Sequence, residues 1–176
     1  MTLKAELAQY LITSSWQKNA KLAKPEKPWP WADTYVAAKL SFNSLNQVRY
    51  VMVDASGESL AFGPGFVHNA GQSQTNQGTA IAGHRDSHFE VLQNLQLNDE
   101  LTLEYPNRST VRYRVVSHTV IDTRLQGLSE PDPADLVLIT CYPFNGLIPG
   151  GPLRYVVFAE RADLKSGQQT KPEHTT

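Results

Sequence analysis

The chain has one cysteine, Cys141, which ends the apolar run LVLIT and directly precedes a loop rich in Pro and Gly. The next apolar run, LRYVVFA, opens on Arg154. A thiol where a buried strand meets a loop, with a guanidinium returning beside it, has the parts of a nucleophile and an anion clamp. The nucleophile is the thiolate, and a cysteine's usual pKa of about 8.5 falls beside a cation. Attack on a peptide carbonyl creates an oxyanion, which the fixed fork of a guanidinium stabilises better than a flexible ammonium does. The departing amine then needs a proton, and histidine is the side chain that titrates near neutrality. His84 is the candidate. It follows the strand-like run GTAIAG and precedes Arg85, Asp86 and a Ser87-x-x-Glu90 spacing, the pattern of a capping box. His84 is therefore expected on a strand-to-helix corner, with Phe89, Leu92 and Leu95 turned inward.

The elements that must position these groups read mostly as strands. YVAAKLSF, VRYVMV, SLAF, GTAIAG, ELTLEY, VRYRVVSHTVI, LVLIT and LRYVVFA are short β-branched or aromatic runs bounded by turn-forming residues. Leu101, Leu103 and Tyr105 alternate with Thr102 and Glu104, Val111, Tyr113 and Val115 alternate with Arg112 and Arg114, and PNRS between them reads as a hairpin loop. Eight candidate strands with few helices give an all-β class, a single barrel or sandwich with an N-terminal helix and one or two short helices in its connections, and closure into a barrel would remove the sheet edges. That N-terminal helix is expected over residues 3 to 22, with Leu3, Leu7, Tyr10 and Leu11 on its apolar face. KPEKPWPW, with its prolines, ends it and reads as a strap that Trp29 and Trp31 pin to the domain. The chain thus divides into a helix and linker over 1–31, a barrel over 32–163 and a polar tail over 164–176. Two long irregular pieces interrupt the strands: Gly63 to Gly78 is too long for a simple hairpin and reads as a functional or mobile loop, and Tyr142 to Pro152 is placed to border a cleft.

Composition narrows the function classes. Sixteen basic residues against 17 acidic ones leave a formal charge of -1, which gives no electrostatic reason to expect a nucleic-acid partner. A single cysteine makes no internal disulfide. No run approaches the roughly 20 apolar residues of a membrane helix. His84 and His88 stand four apart with Asp86 between them, but the expected helix starts after His84 and no Glu follows His84 in the H-E-x-x-H manner, so zinc is not expected. His68, His118 and His174 add no further pattern, and His118 is expected to line the barrel or face solvent.

The strand ending in Thr140-Cys141, the arginine opening the next strand and the upstream Gly83-His84 together resemble the sortase family. GHRDSHF, AFGPG and ITCYPFNGLIPGGPLRYVVF resemble more narrowly its proteobacterial, Gram-negative type, over roughly residues 32 to 160. The family writes its cysteine strand TLxTC, and Val137 stands here in place of the first Thr. The resemblance implies a closed eight-stranded β-barrel over 32–163 on which His84, Cys141 and Arg154 are catalytic, and that Thr140, Asp86 and Tyr142 bind substrate or support them. It implies a cysteine transpeptidase: Cys141 attacks the carbonyl of a C-terminal sorting signal in a protein substrate, His84 protonates the leaving amine, and a cell-wall or protein amine, or water, resolves the thioacyl enzyme. That chemistry requires no metal or organic cofactor. The resemblance further implies an anchor upstream of these residues in the cytoplasmic membrane, with the catalytic domain facing the periplasm.

Two other readings stay open on the residues. Another cysteine acyl transferase or hydrolase would use the same groups, although the L,D-transpeptidases pair Ser-His-Gly-Cys with a nearby Arg, whereas Ile139-Thr140 precedes the cysteine here. A non-catalytic β-barrel adaptor would instead bury Cys141 and bind through Gly63 to Gly78.

Overall fold

The computed structural model describes residues 3–22, 26–67, 78–127, 135–146 and 150–163. Helix α1 (Leu3–Leu22) is followed by strands β1 (Val36–Phe42) and β2 (Gln47–Met52), helix α2 (Gly57–Phe62), β3 (Gly65–Phe66), β4 (Thr79–Ala82), a 3₁₀ helix over Glu90–Asn94, then β5 (Glu100–Glu104), β6 (Thr110–Asp122), β7 (Asp135–Cys141) and β8 (Leu153–Arg161). The eight strands close into a barrel in the order β1-β2-β3-β4-β7-β8-β6-β5, with β5 returning to pair with β1. Most neighbours are antiparallel, but β2/β3 and β4/β7 run parallel. The β5–β6 hairpin turns through PNRS as expected: Tyr105 N donates to Ser109 O and Arg108 takes a positive φ of 67°.

Period-two alternation explains the core. In β1, Val36, Ala38, Leu40 and Phe42 are buried while the residues between them are half-exposed. Leu40 and Phe42 join Leu101 and Leu103 of β5, Leu136 and Leu138 of β7 and Val157 of β8 in one interior cluster. Strand β7 departs from alternation, being buried from Leu136 through Thr140. Its outward Val137 and Ile139 join Val156 and Ile121 in a second cluster on the outer face, as expected for a central strand covered on both sides.

Four expectations are corrected. SLAF is not a strand: it belongs to α2, because Ser56 caps a helix there, its side chain accepting from Ser59 N at 3.3 Å. The strand it was expected to supply is β3, whose two residues are too short to show a period. The Ser87/Glu90 capping box does not form: Phe89 sits at the N-terminus of the 3₁₀ helix with no side-chain cap, although Phe89, Leu92 and Leu95 are buried as expected. In α1, Leu7 and Tyr10 are 59% and 68% exposed, and the helix buries Ile12 and Trp16 against Val36 and Met52 instead. Polar contacts fix that choice. Buried Asn19 donates to Val36 O at 3.3 Å and accepts from Glu26 N at 2.7 Å, and Ser15 donates to Glu26 O at 2.9 Å. In the strap, Trp29 packs edge-on against Phe62 at 4.9 Å, whereas Trp31 is 78% exposed and pins nothing. Most of Gly63 to Gly78, the middle of Tyr142 to Pro152 and the tail from 164 onward lie outside the described residues.

Candidate active site

The three candidate residues come from three adjacent strand ends. Strands β4 and β7 run parallel, with Ala82 against Ile139 as the last registered pair, and Gly83 N donates to Ile139 O at 3.1 Å. Continuing that register by two residues sets His84 alongside Cys141. Strand β8 runs antiparallel on the other side of β7, and its Arg154 is the direct cross-strand partner of Cys141. The order across the sheet is therefore His84, Cys141, Arg154.

Strand parity puts the last two on one face. Successive strand residues point to opposite sides, and Val137, Ile139 and Val156 belong to the outer cluster with Ala80 and Ala82 of β4, so Cys141 and Arg154 continue the outer rows and His84 follows just past the end of β4. His84 is exposed, while Cys141 and Arg154 are half-buried. Arg154 Nη1 donates back to the carbonyls of Gly151 and Leu153. Those bonds set its direction and leave Nε and Nη2 without a partner among the described residues.

The residues flanking the site hold it in place. Thr140, 2% exposed, points inward, and its hydroxyl donates to Gly83 O at 2.7 Å. This bond ties the residue before Cys141 to the residue before His84, so the hydroxyl is turned away from the outer face. On the other side of His84, the carbonyl of His84 accepts from Phe89 N at 2.9 Å and closes the corner. Gly83 has to be glycine here, because a Cβ would lie 2.8 Å from the Phe89 ring. Asp86 is exposed and holds Arg85 with both carboxylate oxygens, at 2.7 and 3.2 Å. That hydrogen bonding keeps the Asp86 carboxyl below the usual carboxylate range, with a smaller contribution from the charge of His84. Tyr142 stacks on Tyr155 at 6.3 Å and meets Phe144 edge-on at 6.2 Å, and exposed His118 also stacks on Tyr155 at 5.7 Å.

Arg85 was not singled out in the sequence. It is 6% exposed and donates to the carbonyls of Pro143 and Gly146 in the β7–β8 connection, at 2.7 and 2.8 Å. The only signal for it was adjacency, an arginine next to the candidate histidine in GHRD. Among the described residues no group of three or more His, Cys, Asp or Glu is placed to hold a metal ion. No helix among them is long and apolar enough to cross a membrane.

The closed eight-stranded barrel is also the architecture that comparison with known proteins finds. The sortase-domain family model matches residues 40–162; the chain belongs to the sortase family. Sortase D of Bacillus subtilis (strain 168) is 25% identical over 125 residues, covering 69% of this chain and 62% of that protein. The chain thus spans less than two thirds of the length of that curated relative. Among solved structures, a Clostridium perfringens sortase D5 transpeptidase superposes with a TM-score of 0.64 at 17% identity, covering 89% of this chain and 98% of its own. A Clostridium perfringens sortase C with the C-terminal cell wall sorting motif gives 0.60 at 17% identity, covering 93% and 92%. At such identities the likeness speaks to the fold.

Proposed function

We propose that this chain is a cysteine transpeptidase that cleaves a C-terminal sorting signal in a protein substrate and passes the acyl group to an amine. The observation that carries the reading is the pairing of Cys141 with Arg154 across β7 and β8, with His84 leaving the parallel neighbour β4 in the same row. In this reading Cys141 Sγ, as thiolate, attacks the scissile carbonyl. The resulting oxyanion is met by the free edge of Arg154, whose planar fork is already oriented by its bonds to Gly151 and Leu153. His84, exposed at its corner, gives its proton to the departing amine, leaving an acyl thioester. An incoming amine, or water, then gives a proton to the now neutral His84 as it attacks the thioester through the same oxyanion geometry, and the C–S bond breaks to return Cys141 as thiolate.

Family membership and the sorting motif in the Clostridium perfringens sortase C complex support a peptide of that kind as the substrate class. The acceptor is a cell-wall or protein amine, with water as the hydrolytic alternative. Thr140 acts by holding β7 against Gly83, and Asp86 acts through Arg85. Residues 32–163 form the catalytic unit. GHRDSHF, AFGPG and the Cys141 segment support a Gram-negative type of sortase working at the periplasmic face of the cytoplasmic membrane, although the relatives compared come from Bacillus and Clostridium. Fractionation of the source cells tests that location.

Alkylation of the sole thiol separates this reading from a binding module. Rapid labelling of folded protein by iodoacetamide, slowed in His84→Ala, is the expected result. A thiol that reacts only after denaturation would make the barrel an adaptor.

A further inference from the structure

Arg85 carries a charge into a site where little of it reaches water, and burying a guanidinium is costly unless its donors are satisfied. They are satisfied in a specific way. Nε and Nη2 donate to the two oxygens of Asp86 at 2.7 and 3.2 Å, Nη1 donates to Pro143 O at 2.7 Å, and Nη2 also donates to Gly146 O at 2.8 Å. One edge of the fork is thus neutralised by the neighbouring carboxylate. The other edge reads two backbone carbonyls of the connection that leaves Cys141. Pro143 O is shared, since it also accepts from Gly146 N at 3.1 Å and closes the turn. The turn in turn has no room for a side chain at 146, where a Cβ would lie 2.7 Å from Arg85 Nη1 and 3.2 Å from Pro143 O.

The location gives this clamp its meaning. Arg85 immediately follows His84, and Pro143 lies two residues beyond Cys141. On the other side of the pair, Thr140 donates to Gly83 O at 2.7 Å. The segments bearing the imidazole and the thiol are therefore fastened to each other both before and after the reacting residues.

We propose that Arg85 is a positioning residue of the transfer reaction: seated against Gly146, it locks the β7–β8 connection onto the His84 corner and so fixes Cys141 relative to His84. This rests on the assignment of His84 and Cys141 as the reacting pair. The guanidinium also stands close enough for the charge of Cys141 to contribute to raising its pKa, behind the larger effect of Asp86.

The test compares wild type, Arg85→Lys, Gly146→Ala and the double variant in cleavage of a sorting peptide, with thermal melts alongside. A clamp that positions the pair predicts a kcat loss of about tenfold or more in each single variant at nearly unchanged KM, because small misplacements of reacting groups act on the rate. Lysine keeps the charge and loses the fork, and alanine keeps Arg85 and pushes it off its carbonyls, so the two losses should not multiply in the double variant. Either single variant holding kcat within about twofold of wild type, whatever its melting temperature, overturns the proposal, as do losses that multiply. If wild type itself shows no cleavage dependent on Cys141, the assignment of the pair falls and takes the clamp with it. If wild type cleaves and both single variants do equally well, only the clamp falls.

Discussion

Arg154 stands directly across the β7–β8 ladder from Cys141, one residue in from the Leu153 that opens β8. Because paired residues of an antiparallel ladder share a face, the two residues stay side by side as long as the ends of both strands are paired. In the proposed reaction the anion-stabilising group is thus carried on the strand beside the nucleophile before substrate arrives, which is where electrostatic catalysis gains most.

That geometry predicts the behaviour of a charge-conserving change. Arg154→Lys retains a cation but lacks the planar fork that bonds Gly151 and Leu153 while facing outward. Loss of an oxyanion donor typically lowers kcat by about 10² to 10³, so a fall in kcat/KM of that order with an unchanged melting temperature is expected. Unchanged kcat/KM would remove Arg154 from that role.

A methyl group should be enough to disturb the histidine corner. Gly83→Ala places a Cβ 2.8 Å from the fully buried Phe89 ring, and overpacking of this kind costs about 1–3 kcal/mol. Phe89 N is bonded to His84 O, so displacement of the ring moves the imidazole too. Chemical denaturation should show the destabilisation, and peptide cleavage should fall by more than Thr140→Ser, which keeps the hydroxyl bonded to Gly83.

Much of this arrangement was legible in the sequence, for identifiable reasons. The long strands announced themselves through alternation, and Cys141 and Arg154 could be placed at strand ends because loop-forming residues lie between them. Other parts leave no local trace. Two-residue β3 has no period, SLAF is as apolar as a strand until Ser56 caps it, and α1 chooses its buried face through Asn19 and Ser15, polar residues that a hydrophobic pattern scores as exposed. Arg85 was invisible for a similar reason: its partners at 143 and 146 are backbone carbonyls, which every residue has, so nothing in the side-chain sequence points to them.

The barrel interior predicts an alkaline limit. Tyr113, 4% exposed, has its pKa pushed from 10 up to about 12, first by burial and then by neighbouring Tyr105. A phenol whose folded pKa lies above its unfolded value binds more protons folded than unfolded between those values. Its contribution is complete below about pH 10 and is lost as the pH rises toward 12, by roughly 2–3 kcal/mol. Urea titrations at pH 8, 10 and 11.5 should show wild type losing stability relative to Tyr113→Phe only at the higher values. A constant difference across that range would contradict the burial argument.

Whether Cys141 carries the acyl group is read from intact-protein mass spectrometry after incubation with candidate sorting peptides. A mass gain equal to the N-terminal part of a peptide is expected, mapping to Cys141, removed by hydroxylamine, absent in Cys141→Ala and strongly reduced in His84→Ala. Peptide cleavage continuing at the wild-type rate in folded Cys141→Ala, or an adduct mapping to any other residue, would contradict it.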